Sequence, residues 1–404
     1  MDPEALFGLA LGLMPPWQVQ RIEFSTETAR LDIHLDFPRG ATFHCPACGV
    51  AGAKAYDTAE ETWRHLNFFQ YAAYLHARMP RVQCPSTCGI KTVAVPWARP
   101  DSGFTRLFEA LIMVLAREMP VAAMAALLGE HDTRLWRVIH HYVEQARAQE
   151  DFSAVRQVGM DETASRRGHQ YVSLFVDLER SKVLFATAGK DASTVEAFKT
   201  DLEAHGGQSA QVTEVACDMS PAFIKGVQAC FPTAQITFDK FHIMKVINKA
   251  VDHVRLEEQK SEPELKGSRY VWLKNPPNLT AAQQVTLGRL KDRKLKTVRA
   301  YHLRLTFQEF WTQPVEHAEG FLRRWFFWAT HSRLPPMREA AYTLKRHWDG
   351  VLRWFTSRIT TGVLEGINSL VQAAKARARG YRTSRNLITM VYLIAGKLKF
   401  ALPT

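Results

Sequence analysis

The chain has 404 residues, 46% hydrophobic and 23% charged, with a formal net charge of +12. That length permits roughly two to four domains with a sizeable core, and the charge favours a polyanionic partner, nucleic acid or an anionic membrane surface. No window approaches eighteen uncharged apolar residues, and the opening MDPEALFGLALGLMPPW is acidic where a signal peptide is basic, so neither a transmembrane helix nor a signal peptide is expected.

Residues 1–40 join a short apolar segment to the run VQRIEFSTETARLDIHLDF, whose period-two alternation predicts strands or a hairpin. Two close cysteine pairs follow, Cys45-Pro-Ala-Cys48-Gly and Cys84-Pro-Ser-Thr-Cys88-Gly. Each is a tight turn ending in glycine, which lets two thiolates point at one ion, and four thiolates suit tetrahedral structural Zn²⁺. Four unrelated buried cysteines are the alternative. The separation between the pairs, residues 49–83, is longer than the common zinc-ribbon spacing. His44 and His65 are possible substitutes for a cysteine, or else surface or packing residues. Between the pairs, TWRHLNFFQYAAYLHARMPRVQ alternates apolar and basic residues as a hairpin would.

WARPDSG, residues 97–103, reads as a linker. Helical periodicity follows in Phe104–Arg117 and stops at Pro120. A short helix, VAAMAALLG, ends at Gly129, and a third begins at a capping residue, Asp132 or Thr133. Three helices with a glycine turn before the third suggest a helix-turn-helix with Arg134 and Arg137 on its recognition helix. A helical spacer is the other reading.

From Val155 the texture changes. VRQVGMDETAS, QYVSLFVDLE and KVLFATAG read as three successive strands. STVEAFKTDLEAH is an amphipathic helix, QVTEVACDMS a buried strand, SPAFIKGVQACF a helix capped at Ser220, and AQITFDKFH a strand running into another helix. This order makes an α/β layer architecture. Residues 258–350 read as helical and basic, their Trp and Phe residues serving a bundle core, and form an insertion before the last helices.

The stretch Thr361–Thr383 sets Glu365 at the head of a helix, and no acidic residue follows it. Lys375, Arg377, Arg379, Arg382 and Arg385 come soon after, and Lys375, Arg379 and Arg382 line one stripe if the helix runs that far and Gly380 does not end it. Asp161 closes the first of the strands and Asp218 a later one. If those strands are neighbours, the two aspartates lie side by side and a glutamate from a helix across the sheet face completes the set. Three converging carboxylates suit Mg²⁺ or Mn²⁺ and in-line phosphoryl displacement.

Together CPACG with CPSTCG, VGMDE, ACDMS with FDKFH, and LEGINSLVQAAKARARGYR resemble an insertion-sequence DDE transposase of the ISL-three family, in the expected order over nearly the whole chain. The resemblance implies a multidomain fold: an N-terminal zinc-binding domain (1–98), a helix-turn-helix DNA-binding domain (99–150), and an α/β RNase H-like, retroviral-integrase-like catalytic core. That core begins at 151–257, is interrupted by a helical insertion (258–350) and resumes in the glutamate-bearing helices (351–404). It places Asp161, Asp218 and Glu365 on the catalytic, metal-holding triad, and Cys45, Cys48, Cys84 and Cys88 on the zinc knuckles. The second knuckle has three residues between its cysteines where two are expected. Asp239 and His242 match the family's FDxFH stretch, either as active-site support or as a structural pair. The implied partners are double-stranded DNA, as terminal inverted repeats and as target, and a homodimer or larger assembly on it. The implied location is cytoplasmic, prokaryotic and nucleoid-associated, with no membrane. Two rival readings are a non-catalytic zinc and helix-turn-helix regulator, and an RNase H-like nuclease that never joins strands.

Overall fold

The structure, a computed structural model, describes residues 2–166, 168–359 and 362–403; Thr361, where the glutamate-bearing stretch opens, lies outside them. The chain divides into two compact units, residues 1–147 with 399–404, and residues 148–398.

The first unit holds α1 (Pro3–Ala10), β1 (Gln18–Ser25), β2 (Arg30–Asp36), β3 (Thr42–Phe43), β4 (Ala53–Arg64), β5 (Ala72–Gln83) and β6 (Ile90–Thr92). Strands β1 and β2 form the expected hairpin, and β4 and β5 form another. The two are joined by parallel pairing of β2 with β5. The inward residues of β2 and β5, among them Leu31, Ile33, Leu35, Leu75 and Ala77, alternate with more exposed ones and bury one sheet face. Trp97 closes this core, its ring 4.9 Å from Trp17 and 5.7 Å from Trp63. The segment expected to be a linker is therefore packed at its start, because a buried indole holds it; Arg99 extends the hold through an ion pair with buried Glu109 at 2.9 Å.

Helices α2 (Arg106–Glu118), α3 (Val121–Leu128) and α4 (Asp132–Arg147) follow. Thr105 caps α2, and Gly129 ends α3 at φ +66°, a conformation glycine adopts without Cβ strain. The cap of α4 differs from expectation. His131 Nδ1 accepts from the Thr133 amide at 3.4 Å, so the capping atom precedes both Asp132 and Thr133.

His65 shares a 2.9 Å hydrogen bond with Thr105 Oγ1. Burial, with Arg64 beside it, pushes its pKa down from 6.5 to about 4. The unfolded chain therefore takes up a proton near pH 6.5 that the folded chain refuses until about pH 4. This stabilisation is full above pH 6.5 and lost as pH falls through that window, at most about 3 kcal/mol. Urea unfolding of the parent should weaken between pH 7 and 5, and His65→Gln should flatten the trend. Equal slopes would count against this assignment.

The second unit begins with β7 (Gln157–Arg166), β8 (Gln170–Asp177), β9 (Lys182–Ala188), α5 (Ala192–Ala204), β10 (Glu214–Cys217), α6 (Pro221–Cys230), β11 (Gln235–Phe238) and α7 (Lys240–Glu258). The sheet order is β11-β10-β7-β8-β9. Strands β7, β10 and β11 run parallel, while β8 and β9 are antiparallel additions. One face of the parallel strands, through Val158, Met160, Val215, Cys217 and Phe238, enters a core shared with Val195, Phe198, Phe223 and Ile243. The stretch 258–350 carries α8 (Arg269–Leu273), α9 (Ala281–Leu290), α10 (Lys296–Phe310), α11 (Val315–His331), α12 (Pro335–Arg346) and the start of α13 (Trp348–Ser357). It has no strand among its described residues, and its aromatics do build a core: Phe307, Phe310 and Trp325 are fully buried. Helices α14 (Gly362–Arg377) and α15 (Ser384–Ala395) complete the unit.

Candidate active site and zinc centre

In the first unit the four cysteines meet. The Sγ atoms of Cys45, Cys48, Cys84 and Cys88 all lie within 4.8 Å of one another. Cys48 and Cys84 are 3.6 Å apart, far beyond a disulfide and close to the ~3.8 Å edge of a tetrahedron with metal–sulfur bonds of about 2.3 Å. The turns that present them are backbone-bonded: Gly49 N donates to Cys45 O at 2.8 Å, and Cys84 N to Gly89 O at 3.0 Å. Gly49 and Gly89 both take positive φ. The additional residue of the second knuckle is absorbed in its turn, where the Ser86 amide donates to Cys84 Sγ at 3.3 Å. Soft thiolates at this spacing fit zinc. Neither histidine joins them: His44 is exposed and His65 is bonded to Thr105.

On the helix-turn-helix, Arg137 is exposed on α4. Arg134 is tied down locally. It pairs with Glu130 at 2.5 Å, donates to Gly103 O at 3.2 Å and covers the Phe104 ring.

In the second unit, register aligns the acids. Residues 214–216 of β10 pair with 157–159 of β7, and 214–217 with 235–238 of β11. Continuing both registers sets Asp161, Asp218 and Asp239 in one row across three parallel strands, roughly 4.8 Å apart along the ladder. Asp161 does not close its strand as expected. Pairing with β8 keeps β7 extended to Arg166, and only its β10 edge is released near Asp161. Asp161 Oδ1 accepts from the Glu162 amide at 2.8 Å, and Asp218 Oδ1 from the Ser220 amide at 2.9 Å. Asp239 caps α7 through the Phe241 amide and bonds His242 Nδ1, each at 2.9 Å.

The row concentrates negative charge. Burial pushes the Asp161 pKa up, and the charges of Asp218 and Asp239 push the same way. Glu162 is pushed up to about 7, by burial first and then by Asp218. The hydrogen bond that His242 Nδ1 gives to Asp239 raises the His242 pKa, aided by the carboxylates around it.

Helix α14 brings Glu365 to this region. Leu364 rests on Gly159, where a Cβ would come within 2.9 Å of its methyl, so a side chain at 159 would lift the helix. Glu365 is exposed and lines a cleft with Asp239, Lys240 and Phe241. Asp161 and Asp218 are thus adjacent, and Glu365 opens onto the same sheet end without meeting them at one point. Among the described residues, the cysteine group alone gathers three or more ligand atoms closely enough to share an ion. The carboxylates are hard oxygen donors, and both Asp161 oxygens keep lone pairs beyond their protein hydrogen bonds, so the set fits Mg²⁺ or Mn²⁺.

The basic stripe is rearranged. Helix α14 ends at Arg377, and the chain turns through Arg379 at φ +55° and Gly380 at φ +95°, with Gly380 N donating to Lys375 O at 2.8 Å. Arg379 and Arg382 are exposed but lie beyond the helix, while the Lys375 amine donates to Ala164 O at 2.6 Å. Sequence reasoning missed Asn368, whose Nδ2 donates to Asp161 Oδ2 at 2.5 Å. Its spacing of three from Glu365, on the same helix face, is the signal that was there to use.

A thiolate knuckle domain, a three-helix DNA-binding unit and a sheet with aligned acids define a DNA-acting transposase of the DDE class. Residues 158–391 match the ISL3 DDE domain, described as transposase. Residues 93–143 match the helix-turn-helix domain of transposase family ISL3, and 41–88 the zinc-finger of transposase IS204/IS1001/IS1096/IS1165. The chain belongs to the ISL3 family of transposases. Among its relatives, the transposase for insertion sequence element IS1557 of Mycobacterium tuberculosis is 28% identical, over 98% of this chain and 97% of that protein. The transposase for IS1001 of Bordetella parapertussis is 28% identical, over 92% of this chain and 94% of that protein. A simian T-cell lymphotropic virus intasome structure is 17% identical over 44% of this chain and 64% of that one; its TM-score of 0.19 carries no argument. No described helix is long and apolar enough to cross a membrane.

Proposed function

We propose that this transposase binds the terminal inverted repeats of an insertion sequence and cuts and joins DNA strands at its ends, using Asp161, Asp218 and Glu365 to hold Mg²⁺ or Mn²⁺. The observation that carries this reading is the shared register of Asp161 and Asp218 beside the helix that bears Glu365. Bound divalent cations supply the charge that activates a water or a 3′-hydroxyl and stabilises the leaving oxygen.

The chain's own residues set the stage for that chemistry. The Glu162 and Ser220 amides fix the two aspartates. Asp239 holds His242 through Nδ1, which leaves Nε2 as the ring atom able to meet a substrate oxygen. Arg137 of the helix-turn-helix, and Arg379 and Arg382 past α14, are exposed cations that would meet backbone phosphates. Lys375 contributes to the same end only by giving up its bond to Ala164. Two element ends must be processed together, so the working form is a homodimer or larger assembly on DNA, at the nucleoid. The domains of this reading end at 98, 150, 257 and 350, the third in the last turn of α7 and the fourth inside α13.

The test uses duplexes carrying the inverted repeats that flank the gene. With Mg²⁺ or Mn²⁺ the protein should nick at the repeat ends and join pre-cut 3′-hydroxyl ends to a second duplex. Binding without cleavage in either cation would favour the regulator reading. Cleavage without joining would favour the nuclease.

A further inference from the structure

Helix α14 lies along β7 as a zipper with matched pitch. Leu364 meets Gly159. Asn368 Nδ2 donates to Asp161 Oδ2 at 2.5 Å, and Gln372 Nε2 to Thr163 Oγ1 at 2.6 Å. Each step is four residues on the helix and two on the strand, about 6.0 Å against about 6.6 Å. The three strand positions share the face opposite the core residues Val158 and Met160. Lys375 locks the end of the run onto Ala164 O. Glu365 sits between the first two rungs, so its height above the sheet is set by the same zipper.

We infer that Asn368 is a positioning residue: it indexes the glutamate-bearing helix to the strand of Asp161 and fixes the Asp161 carboxylate for cation binding. The inference rests on the proposed role of Asp161 and Glu365. Two features single Asn368 out. Asp161 Oδ1 is held by its own strand, through the Glu162 amide, so Asn368 is the donor from the helix. The Asn368 Oδ1 atom is buried and makes no hydrogen bond, so the amide's orientation is spent on the bond to Asp161 rather than on a local partner. Orienting groups of this kind typically change metal affinity or activity about tenfold to a hundredfold when removed.

The experiment compares the parent, Asn368→Ala, Asn368→Asp and Asp161→Asn, all as full chains. Mn²⁺ binding is read by electron paramagnetic resonance, cleavage by its Mn²⁺ dependence, and folding by circular dichroism and repeat binding. Both Asn368 variants should fold and bind DNA, yet need roughly tenfold or more Mn²⁺ for half-saturation in both assays. Asn368→Asp should be the worse, because it sets a carboxylate against Asp161. Excess Mn²⁺ should recover part of the cleavage by Asn368→Ala. Parent-like Mn²⁺ binding in folded Asn368 variants, with Asp161→Asn defective, would overturn the positioning role alone. Parent-like binding and cleavage by Asp161→Asn would instead overturn the carboxylate site on which it rests.

Discussion

Asp218→Asn should bind the terminal repeats as tightly as the parent and cut them at least about a thousandfold more slowly. The amide has nearly the shape of the carboxylate, and its oxygen can still accept from the Ser220 amide, so the turn into α6 is kept. Folding gains slightly if anything, because the negative charge that pushes Asp161 up is gone. What disappears is a charged oxygen donor, and an amide is a poor ligand for Mg²⁺. Metal stabilisation of the transition state is worth several kcal/mol; a loss of about 4 kcal/mol is about three orders of magnitude in rate. Fluorescence anisotropy with labelled repeats and a gel assay of strand cleavage separate binding from chemistry. Cleavage within tenfold of the parent would remove Asp218 from the site.

Cys45→Ser should lose zinc and unravel the knuckle region while residues 148–398 stay folded. The parent should carry about one zinc per chain. Strand β3 has two residues, anchored in the core by Phe43 alone, and β6 has three, all exposed, so packing gives β6 no hold of its own. Structural zinc contributes roughly 10–16 kcal/mol in small domains, as much as a whole domain's stability. Metal analysis and limited proteolysis are the measurements. Cleavage should spread through residues 42–92, and repeat binding should fall with it. A parent without zinc, or disulfides among the four cysteines, would end the zinc assignment.

Strands and helices of the second unit were legible because their signals are local. Apolar runs separated by polar turns mark β7 to β9, and Pro221 and Ser220 mark the start of α6. The neighbouring of β7 and β10 entered only as a condition, since nothing near Asp161 records that β10 will pair beside it. The parallel pairing of β2 with β5 left no local trace for the same reason. VGMDE stops being apolar at Asp161, which suggests a strand end, yet antiparallel pairing with β8 tolerates the polar continuation. The stripe through Arg379 and Arg382 depended on the helix passing Gly380, and it does not. Trp97 shows the opposite error: its neighbours Pro96, Pro100 and Gly103 resemble a tether, but a large aromatic beside them finds a core. Asn368 gives no signal of its own in the sequence, because a lone asparagine in an amphipathic helix has no meaning until its partner strand is known.

The bond between Asn368 and Asp161 joins residues 207 positions apart. At about 5–20 residues per second, a ribosome takes roughly 10–40 s to travel between them. From the moment Asp218 is made, the nascent chain carries its zinc knuckles, its helix-turn-helix and two of the three acids, but not the helix that brings the third. The domains matched to zinc-finger and helix-turn-helix models are thus synthesised in full before the helix that completes the set of acids.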